Sequence, residues 1–155
     1  MQLTTKGRYA VMAMADMAYR CNSTGNAPVS LAQISERQDI SLSYLEQLFV
    51  KLRRAGLVSS VRGPGGGYKL ERSPEEILIF DIMAAVDEPV KMVRCVGDEL
   101  DKGCVGGERC LTHGLWASMG RHLVDFLQTT SLNDVIDGSL NKNIGTTPPA
   151  FEVTL

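Results

Sequence analysis

The chain has 155 residues, 44% of them hydrophobic, which allows a real core and argues against wholesale disorder. Its net charge of −2 hides an asymmetry between the two halves of the chain. Residues 1–72 carry ten Lys and Arg against five Asp and Glu, a net charge of +5, whereas residues 73–155 carry six against thirteen, a net charge of −7. The basic half is suited to neutralising phosphates, although an uneven, solvated surface accounts for the same numbers.

The sequence predicts a cytoplasmic protein without a membrane partner. No apolar run approaches the roughly 18 residues that a membrane span needs. The first residues, Met1 to Gly7, lack the basic segment and apolar run of a signal peptide. Cysteines in the cytoplasm stay reduced, so a close group of them indicates metal binding or redox chemistry rather than a disulfide framework.

The first 55 residues have the pattern of three helices. Helical spacing of apolar residues predicts the first helix over residues 5–20 and the third over 42–55. Between them, Ser30 and Gln33 have the spacing of a capping box, which predicts a short helix to about residue 38. The N-cap of the third helix is Ser41 or Ser43, and Ser43 with Glu46 also has capping-box spacing.

A strand–turn–strand follows, and it completes a predicted winged helix-turn-helix. Residues 57–61 are rich in β-branched side chains, the glycine-rich turn 62–67 follows, and residues 68–70 return as the partner strand. Ser73 to Glu76 resemble a helix start, and residues 80–86 have a helical pattern. The fold class expected is mainly α with a small β-hairpin wing.

The second half of the chain is expected to mediate assembly. Residues 90–110 are aperiodic, and a long helix is predicted over 112–128, with a last short helix capped at Ser131. Apolar side chains on one stripe of the long helix predict a two-fold contact with a second subunit. The stripe consists of Leu115, Met119, Leu123 and Phe126, with Trp116 beside it. We expect three segments: the winged helix-turn-helix over 1–72, the aperiodic loop and the dimerisation helix over 73–136, and a flexible tail over 137–155.

The third helix and the wing are the predicted reader of duplex DNA. Polar side chains on the outward face of the helix suit base edges or phosphates, and glycines in the turn allow close approach to the sugar-phosphate backbone, with an arginine beside them for the minor groove. The candidate residues are Ser43, Tyr44, Glu46, Gln47, Lys51 and Arg54 on the helix, and Arg62, Gly65 and Gly66 in the wing. The alternative is an ordinary hairpin whose arginine is merely solvated.

Three cysteines and a histidine have a composition typical of a metal centre. Eight residues separate Cys95 from Cys104, five separate Cys104 from Cys110, and two separate Cys110 from His113. Three thiolates and an imidazole complete a four-ligand set for zinc or an iron–sulfur cluster, and the absence of a Cys-x-x-Cys pair favours the cluster. The alternative is three free cysteines on a loop. Cys21 stands apart and is expected to be a small core residue.

Three stretches resemble the IscR family of iron–sulfur cluster-sensing winged-helix transcription regulators. They are Leu3–Val11, Ser41–Phe49 and Leu57–Tyr68, and Cys110-Leu111-Thr112-His113 and Leu115-Trp116 match as well. The resemblance implies a homodimer and a two-iron, two-sulfur cluster held by Cys95, Cys104, Cys110 and His113. It further implies control of iron–sulfur assembly genes. The gap from Cys95 to Cys104 is longer here than in the family, with an acidic insertion around residues 98–101.

An enzyme is not expected. The chain shows no Ser/His/Asp pattern, and its glycine run is followed by Tyr68-Lys69-Leu70 rather than by the Lys-Ser or Lys-Thr of a phosphate-binding loop. Two alternatives to an iron–sulfur-sensing regulator stay open. One is a zinc-stabilised or redox-responsive winged-helix repressor. The other is a small iron–sulfur carrier, which would need neither a reading helix nor a wing.

Overall fold

The computed structural model describes residues 4–90 and 109–142. Within them the chain is mainly helical with one antiparallel hairpin, as predicted. The helices are α1 (Thr5–Thr24), α2 (Leu31–Gln38), α3 (Leu42–Arg54), α4 (Ile79–Ala85), α5 (His113–Thr129) and α6 (Leu132–Ile136); the strands are β1 (Val58–Val61) and β2 (Gly67–Leu70); a 3₁₀ turn spans Ser139–Lys142. None of these helices is both long enough and apolar enough to cross a bilayer.

Helix α1 is the central element of the core. Ala10, Met14 and Ala18 follow one another at i, i+4 spacing and are fully buried. The helix continues four residues beyond its predicted end, to Thr24. It ends there because Gly25 adopts the left-handed conformation (φ 65°) and donates its N–H to the carbonyl of Cys21, which gives a C-terminal cap.

Helices α2 and α3 begin at side-chain caps. Ser30 and Gln33 form the predicted capping box. For α3 the N-cap is Ser41, whose hydroxyl accepts the N–H of Tyr44, so the alternative cap at Ser43 is wrong. Four apolar side chains of α3 are buried: Leu45, Leu48, Phe49 and Leu52. Their burial fixes the opposite face of α3 toward the outside.

The segment before α4 differs from its prediction. Ser73 and Glu76 do bond to each other, since Ser73 N–H donates to Glu76 Oε2 at 3.2 Å, but they close an isolated turn and α4 begins only at Ile79. Leu78 instead pairs with Ser131 in an antiparallel bridge. That pairing holds the backbone before Ile79 extended.

The start of α6 completes the core from the other side. Leu132 N–H donates to the carbonyl of Ile77 at 2.8 Å, and both side chains are fully buried. They join the same hydrophobic cluster as α1 and α3, so core packing runs across residue 73. The division into domains near that residue stays a prediction, as does the flexible tail, which lies largely outside the described residues.

Candidate nucleic-acid interface and metal-ligand positions

The outward face of α3 carries most of the predicted DNA-reading side chains. Ser43, Glu46, Gln47 and Arg54 are exposed. They lie opposite the buried side of the helix, at the spacings that bring residues of an α-helix to one surface. Amides and hydroxyls there can bond to base edges, and a guanidinium can bond to phosphates. The arrangement is that of a helix whose polar face is free to enter a groove.

Two of the predicted reading residues lie on the flank of α3 and are half-buried. The ring of Tyr44 meets the ring of Tyr9 edge to face, with centroids 6.0 Å apart, which joins α3 to the start of α1. The ammonium of Lys51 lies 2.6 Å from Oδ2 of Asp87, the second residue after α4. This hydrogen bond with Lys51 holds the pKa of Asp87 below its ordinary value. Lys51 therefore has an acidic partner within the chain.

The wing is built on a tight turn between β1 and β2. Gly66 N–H bonds to the carbonyl of Gly63 at 2.9 Å, with Pro64 and Gly65 between them. Gly65 has φ 72°, which the third position of this turn requires and which L side chains rarely adopt. A Cβ on Gly66 would lie 2.4 Å from the carbonyl oxygen of Val61. Both predicted glycines are thus fixed by the turn itself, and Arg62 is exposed beside it.

The wing is held against the helices at Tyr68. Its ring packs against Phe49 of α3 with centroids 4.9 Å apart. Its backbone pairs with Val29, with N–H to carbonyl distances of 2.8 Å in both directions. A Cβ on Gly67 would lie 2.4 Å from the carbonyl oxygen of Val29, so this close pairing requires glycine. The structure thereby brings the wing and α3 into one unit.

Three further residues of α3 share its accessible surface and were not expected from the sequence. Leu42 and Val50 are 42% and 37% exposed, and Arg53 is exposed. Leu42 and Val50 were not predicted to be on this surface because apolar residues of an amphipathic helix are normally assigned to the core. The signal available was spacing, because Val50 follows Gln47 by three residues. An aliphatic side chain at such a place can contact a thymine methyl group.

Two of the four predicted metal ligands lie within the described residues. Cys110 and His113 are half-buried at the beginning of α5, where His113 N–H donates to the carbonyl of Cys110 at 3.0 Å. The thiol of Cys110 is 3.4 Å from the hydroxyl of Thr112. The N-terminus of a helix favours a negatively charged ligand such as a thiolate, so this half of the donor set fits a cluster or zinc. Cys95 and Cys104 lie outside the described residues.

Helix α5 exposes much of the predicted dimerisation stripe. Leu115, Met119 and Phe126 are 59%, 45% and 38% exposed, and Leu111 just before the helix is fully exposed. Leu123 is half-buried against the core of its own chain. Since α5 also packs on α4, one side of the helix is anchored and the other presents apolar side chains to the outside.

The chain matches one protein family over most of its length. That family is Rrf2, described as "Iron-dependent Transcriptional regulator", and it matches residues 3–138. Two similar relatives are named HTH-type transcriptional regulator IscR. The one from Photorhabdus laumondii is 54% identical over 137 residues, 88% of this chain and 80% of the relative. The one from Aliivibrio salmonicida is 55% identical over 136 residues, 88% of this chain and 77% of the relative.

Solved structures of regulators have the same fold. The IscR of T. potens is 32% identical, with a TM-score of 0.68 over 95% of this chain and 94% of the other. CymR, the global cysteine regulator of B. subtilis, is also 32% identical, with a TM-score of 0.74 over 89% of this chain and 98% of the other. These neighbours confirm the winged-helix fold predicted from the sequence.

Proposed function

Because this chain belongs to the Rrf2 family of iron-dependent transcriptional regulators, we propose that it senses iron–sulfur status through a two-iron, two-sulfur cluster and controls iron–sulfur assembly genes. The chain is a DNA-binding transcription regulator and not an enzyme. The observation that carries the proposal is the half-buried pair Cys110 and His113 at the start of α5, in a chain whose α3 presents a polar face beside an anchored wing.

In the proposed complex, α3 enters the major groove of an operator. Ser43, Tyr44 and Gln47 bond to base edges or nearby phosphates, and Lys51 and Arg54 neutralise phosphates. Support comes from the exposure of Ser43, Gln47 and Arg54 and from the burial of the opposite face of the helix. A helix presented in this way can enter a groove without repacking the core.

The wing supplies the second set of proposed contacts. Arg62 reaches the minor groove or its phosphates, and the backbone at Gly65 and Gly66 approaches the sugar-phosphate chain closely. Support comes from the exposure of Arg62 and from the turn that fixes both glycines. The bonds of Tyr68 to Val29 give this hairpin a fixed position relative to the rest of the domain.

Cys95, Cys104, Cys110 and His113 are the proposed ligands of the cluster. When bound, it supplies an iron- and oxygen-sensitive centre that stabilises the form of the protein that holds it. Cys110 and His113 support the proposal because the turn that leads into α5, closed by the bond from His113 N–H to the Cys110 carbonyl, brings them together. The chain's own residues set how firmly the centre is held, since an imidazole is a weaker ligand than a thiolate and is lost more readily in acid. Zinc on the same four residues is the alternative.

The regulator is proposed to act as a cytoplasmic homodimer. The exposed stripe Leu115, Met119 and Phe126 is apolar and lies on a helix anchored to the core, which suits an isologous contact with a second copy. A two-fold dimer would present two α3 helices to two half-sites of a palindromic operator. The dimer contact and the reading helix would thus be connected through the packing of α5 on α4 and of α4 on α3.

The test is anaerobic purification followed by a visible spectrum and an operator-binding assay on the same sample. Replacing Cys95, Cys104 or Cys110 with Ala should abolish cluster absorbance, whereas His113→Cys should retain it and lower the reduction potential. Cys21→Ala is the matched control, because it removes a thiol outside the proposed ligand set and should leave the absorbance unchanged. Full absorbance in Cys104→Ala would contradict the ligand assignment.

The same sample separates the alternatives. A colourless protein with stoichiometric zinc that binds an operator indicates the zinc-stabilised repressor. A brown protein that binds no operator indicates an iron–sulfur carrier. A brown protein whose operator binding changes when the cluster is removed supports the proposal.

A further inference from the structure

We propose that Asp87 is a positioning residue that restrains the affinity of this regulator for DNA by serving as an internal counter-ion for Lys51. The inference rests on the proposed role of α3 as the reading helix, and it adds a residue outside α3 and the wing. Asp87 lies two residues after α4 and makes no base or phosphate contact in this proposal. It acts only through the ammonium that it holds.

The geometry places Asp87 between two lysines. Lys51 Nζ donates to Oδ2 of Asp87 at 2.6 Å, and Lys6 Nζ donates to the carbonyl of Asp87 at 2.9 Å. The pair formed with Lys51 is accessible to solvent, since the side chains of Lys51 and Asp87 are 39% and 75% exposed. The neighbouring acid Glu88 is turned away from this pair into the interior, where it bonds to Thr4 and Gly7. Asp87 is therefore the acid that bonds to Lys51.

The backbone of Asp87 shows that its position is specified. It has φ 54°, a left-handed conformation that only a few non-glycine residues adopt readily, among them Asp and Asn. In this conformation the carbonyl of Asp87 accepts from Lys6 of α1 and its carboxylate accepts from Lys51 of α3. Because Asn tolerates it equally well, the charge of Asp87 can be removed without changing the fold.

The consequence for DNA binding is electrostatic. A lysine that contacts a phosphate releases condensed cations, and each such contact steepens the dependence of log affinity on log salt by about one. A lysine already paired with a carboxylate releases fewer, and the carboxylate itself repels phosphates. One carboxylate occupies one of the three N–H donors of the ammonium. Lys51 can therefore still bond to a phosphate, but the contact contributes less to the binding free energy. Asp87 should weaken binding to all sequences alike.

The experiment measures the affinity of the dimer for an operator and for random duplex DNA across a salt series. Asp87→Asn should bind both DNAs roughly five-fold more tightly at 0.15 M salt, with a slope steeper by about half a unit per subunit and an unchanged ratio of the two affinities. Asp81→Asn is the matched control. It also removes one negative charge from a solvent-accessible ion pair on or near α4, but its partner is Arg72, 3.7 Å away, rather than a residue of α3.

A second background tests whether Asp87 acts through Lys51. In a Lys51→Met protein, adding Asp87→Asn should leave the salt slope where Lys51→Met alone puts it. Equal gains with and without Lys51, or equal gains for Asp87→Asn and Asp81→Asn, would overturn the inference. If the proposed function is wrong, the wild-type protein will bind no operator more tightly than random DNA. The salt slopes measured on random DNA still decide the role of Asp87 in that case. Wild-type protein that binds neither DNA would overturn both.

Discussion

Gly7 and Glu88 are in direct contact at the beginning of α1. The N–H of Gly7 donates to Oε2 of Glu88 at 3.2 Å, and a Cβ on Gly7 would lie 2.6 Å from Cγ of Glu88. The backbone N–H of Thr4 donates to Oε1 at 2.9 Å, and its hydroxyl donates to Oε2. Glu88 is only 5% exposed. A buried carboxylate thus caps α1 from 81 residues away in the chain.

Gly7→Ala should destabilise the protein by about 1–3 kcal/mol, because the added methyl group overpacks a site filled by Glu88 and by Sδ of Met83, 2.9 Å from the Cβ position. Urea unfolding followed by circular dichroism measures the effect. Gly114→Ala on α5 is the control, since the space at its Cβ position is open among the described residues and alanine favours a helix. Equal stability of Gly7→Ala and wild type would contradict the contact.

Glu88 should make the protein sensitive to acid. Burial raises the pKa of Glu88, but hydrogen bonds from Thr4 and Gly7, together with the charge of Lys6, outweigh it and leave the pKa below its ordinary value of 4.5. A folded-state pKa below that of the unfolded chain stabilises the fold above the ordinary pKa, and this stability is lost as pH falls through the folded value.

The measurement is the free energy of unfolding between about pH 6 and pH 3, the range in which such a carboxylate titrates. Glu88→Gln should be less stable than wild type at pH 6, and the difference should shrink toward pH 3. Glu75→Gln is the control, because Glu75 is exposed and should show no such convergence. A constant difference between Glu88→Gln and wild type over this range would contradict the role of the charge.

Local patterns in the sequence predicted the elements but not the contacts between them. Ser30 and Gln33 form the capping box that their spacing indicates, whereas Ser73 and Glu76, with a similar spacing, close a turn that does not continue as a helix. The difference is the pairing of Leu78 with Ser131, which lies 53 residues farther along the chain and leaves no local signal. The bond between Lys51 and Asp87 has the same origin, since the partners are 36 positions apart in the chain.

Met119→Lys should convert the protein into monomers and weaken operator binding. Met119 is 45% exposed in the single chain, and an ammonium buried against a second copy would be unpaired and desolvated. Sedimentation velocity measures the oligomeric state. Tyr19→Lys is the matched control, because Tyr19 is also an exposed apolar side chain, 67% exposed, but belongs to α1 and not to the stripe of α5. A monomeric wild-type protein that binds a palindromic operator would count against the dimer.

Arg62→Ala should weaken DNA binding and reduce the salt slope by about one per subunit, because each wing would lose a contact with the minor groove or its phosphates. A salt titration of operator affinity by fluorescence anisotropy measures both quantities. Arg72→Ala is the control, since Arg72 is paired with Asp81 near α4. Unchanged affinity and salt dependence in Arg62→Ala would remove the wing from the interface.

Glu46 should restrict which operators the protein accepts. Its alternative role as the capping partner of Ser43 does not hold, since Ser41 caps α3 and Glu46 is exposed on its outward face. A carboxylate facing phosphates is repelled, and it gains only where it accepts a hydrogen bond from the amino group of a cytosine. Operators with a cytosine at the base position that faces Glu46 would be bound, and operators with another base there would be rejected.

Glu46→Ala should therefore strengthen binding to operators that lack this cytosine, by roughly ten-fold, and leave binding to the others nearly unchanged or slightly weaker. The measurement is an anaerobic titration of a set of operators varied at each position, with cluster-loaded and cluster-free protein. Glu36→Ala is the matched control, because Glu36 is an exposed acid on α2 and its removal changes the net charge equally. A uniform gain across all operators in both variants would mean that only net charge matters. A gain confined to operators without cytosine, and seen only in Glu46→Ala, would identify Glu46 as the residue that rejects them.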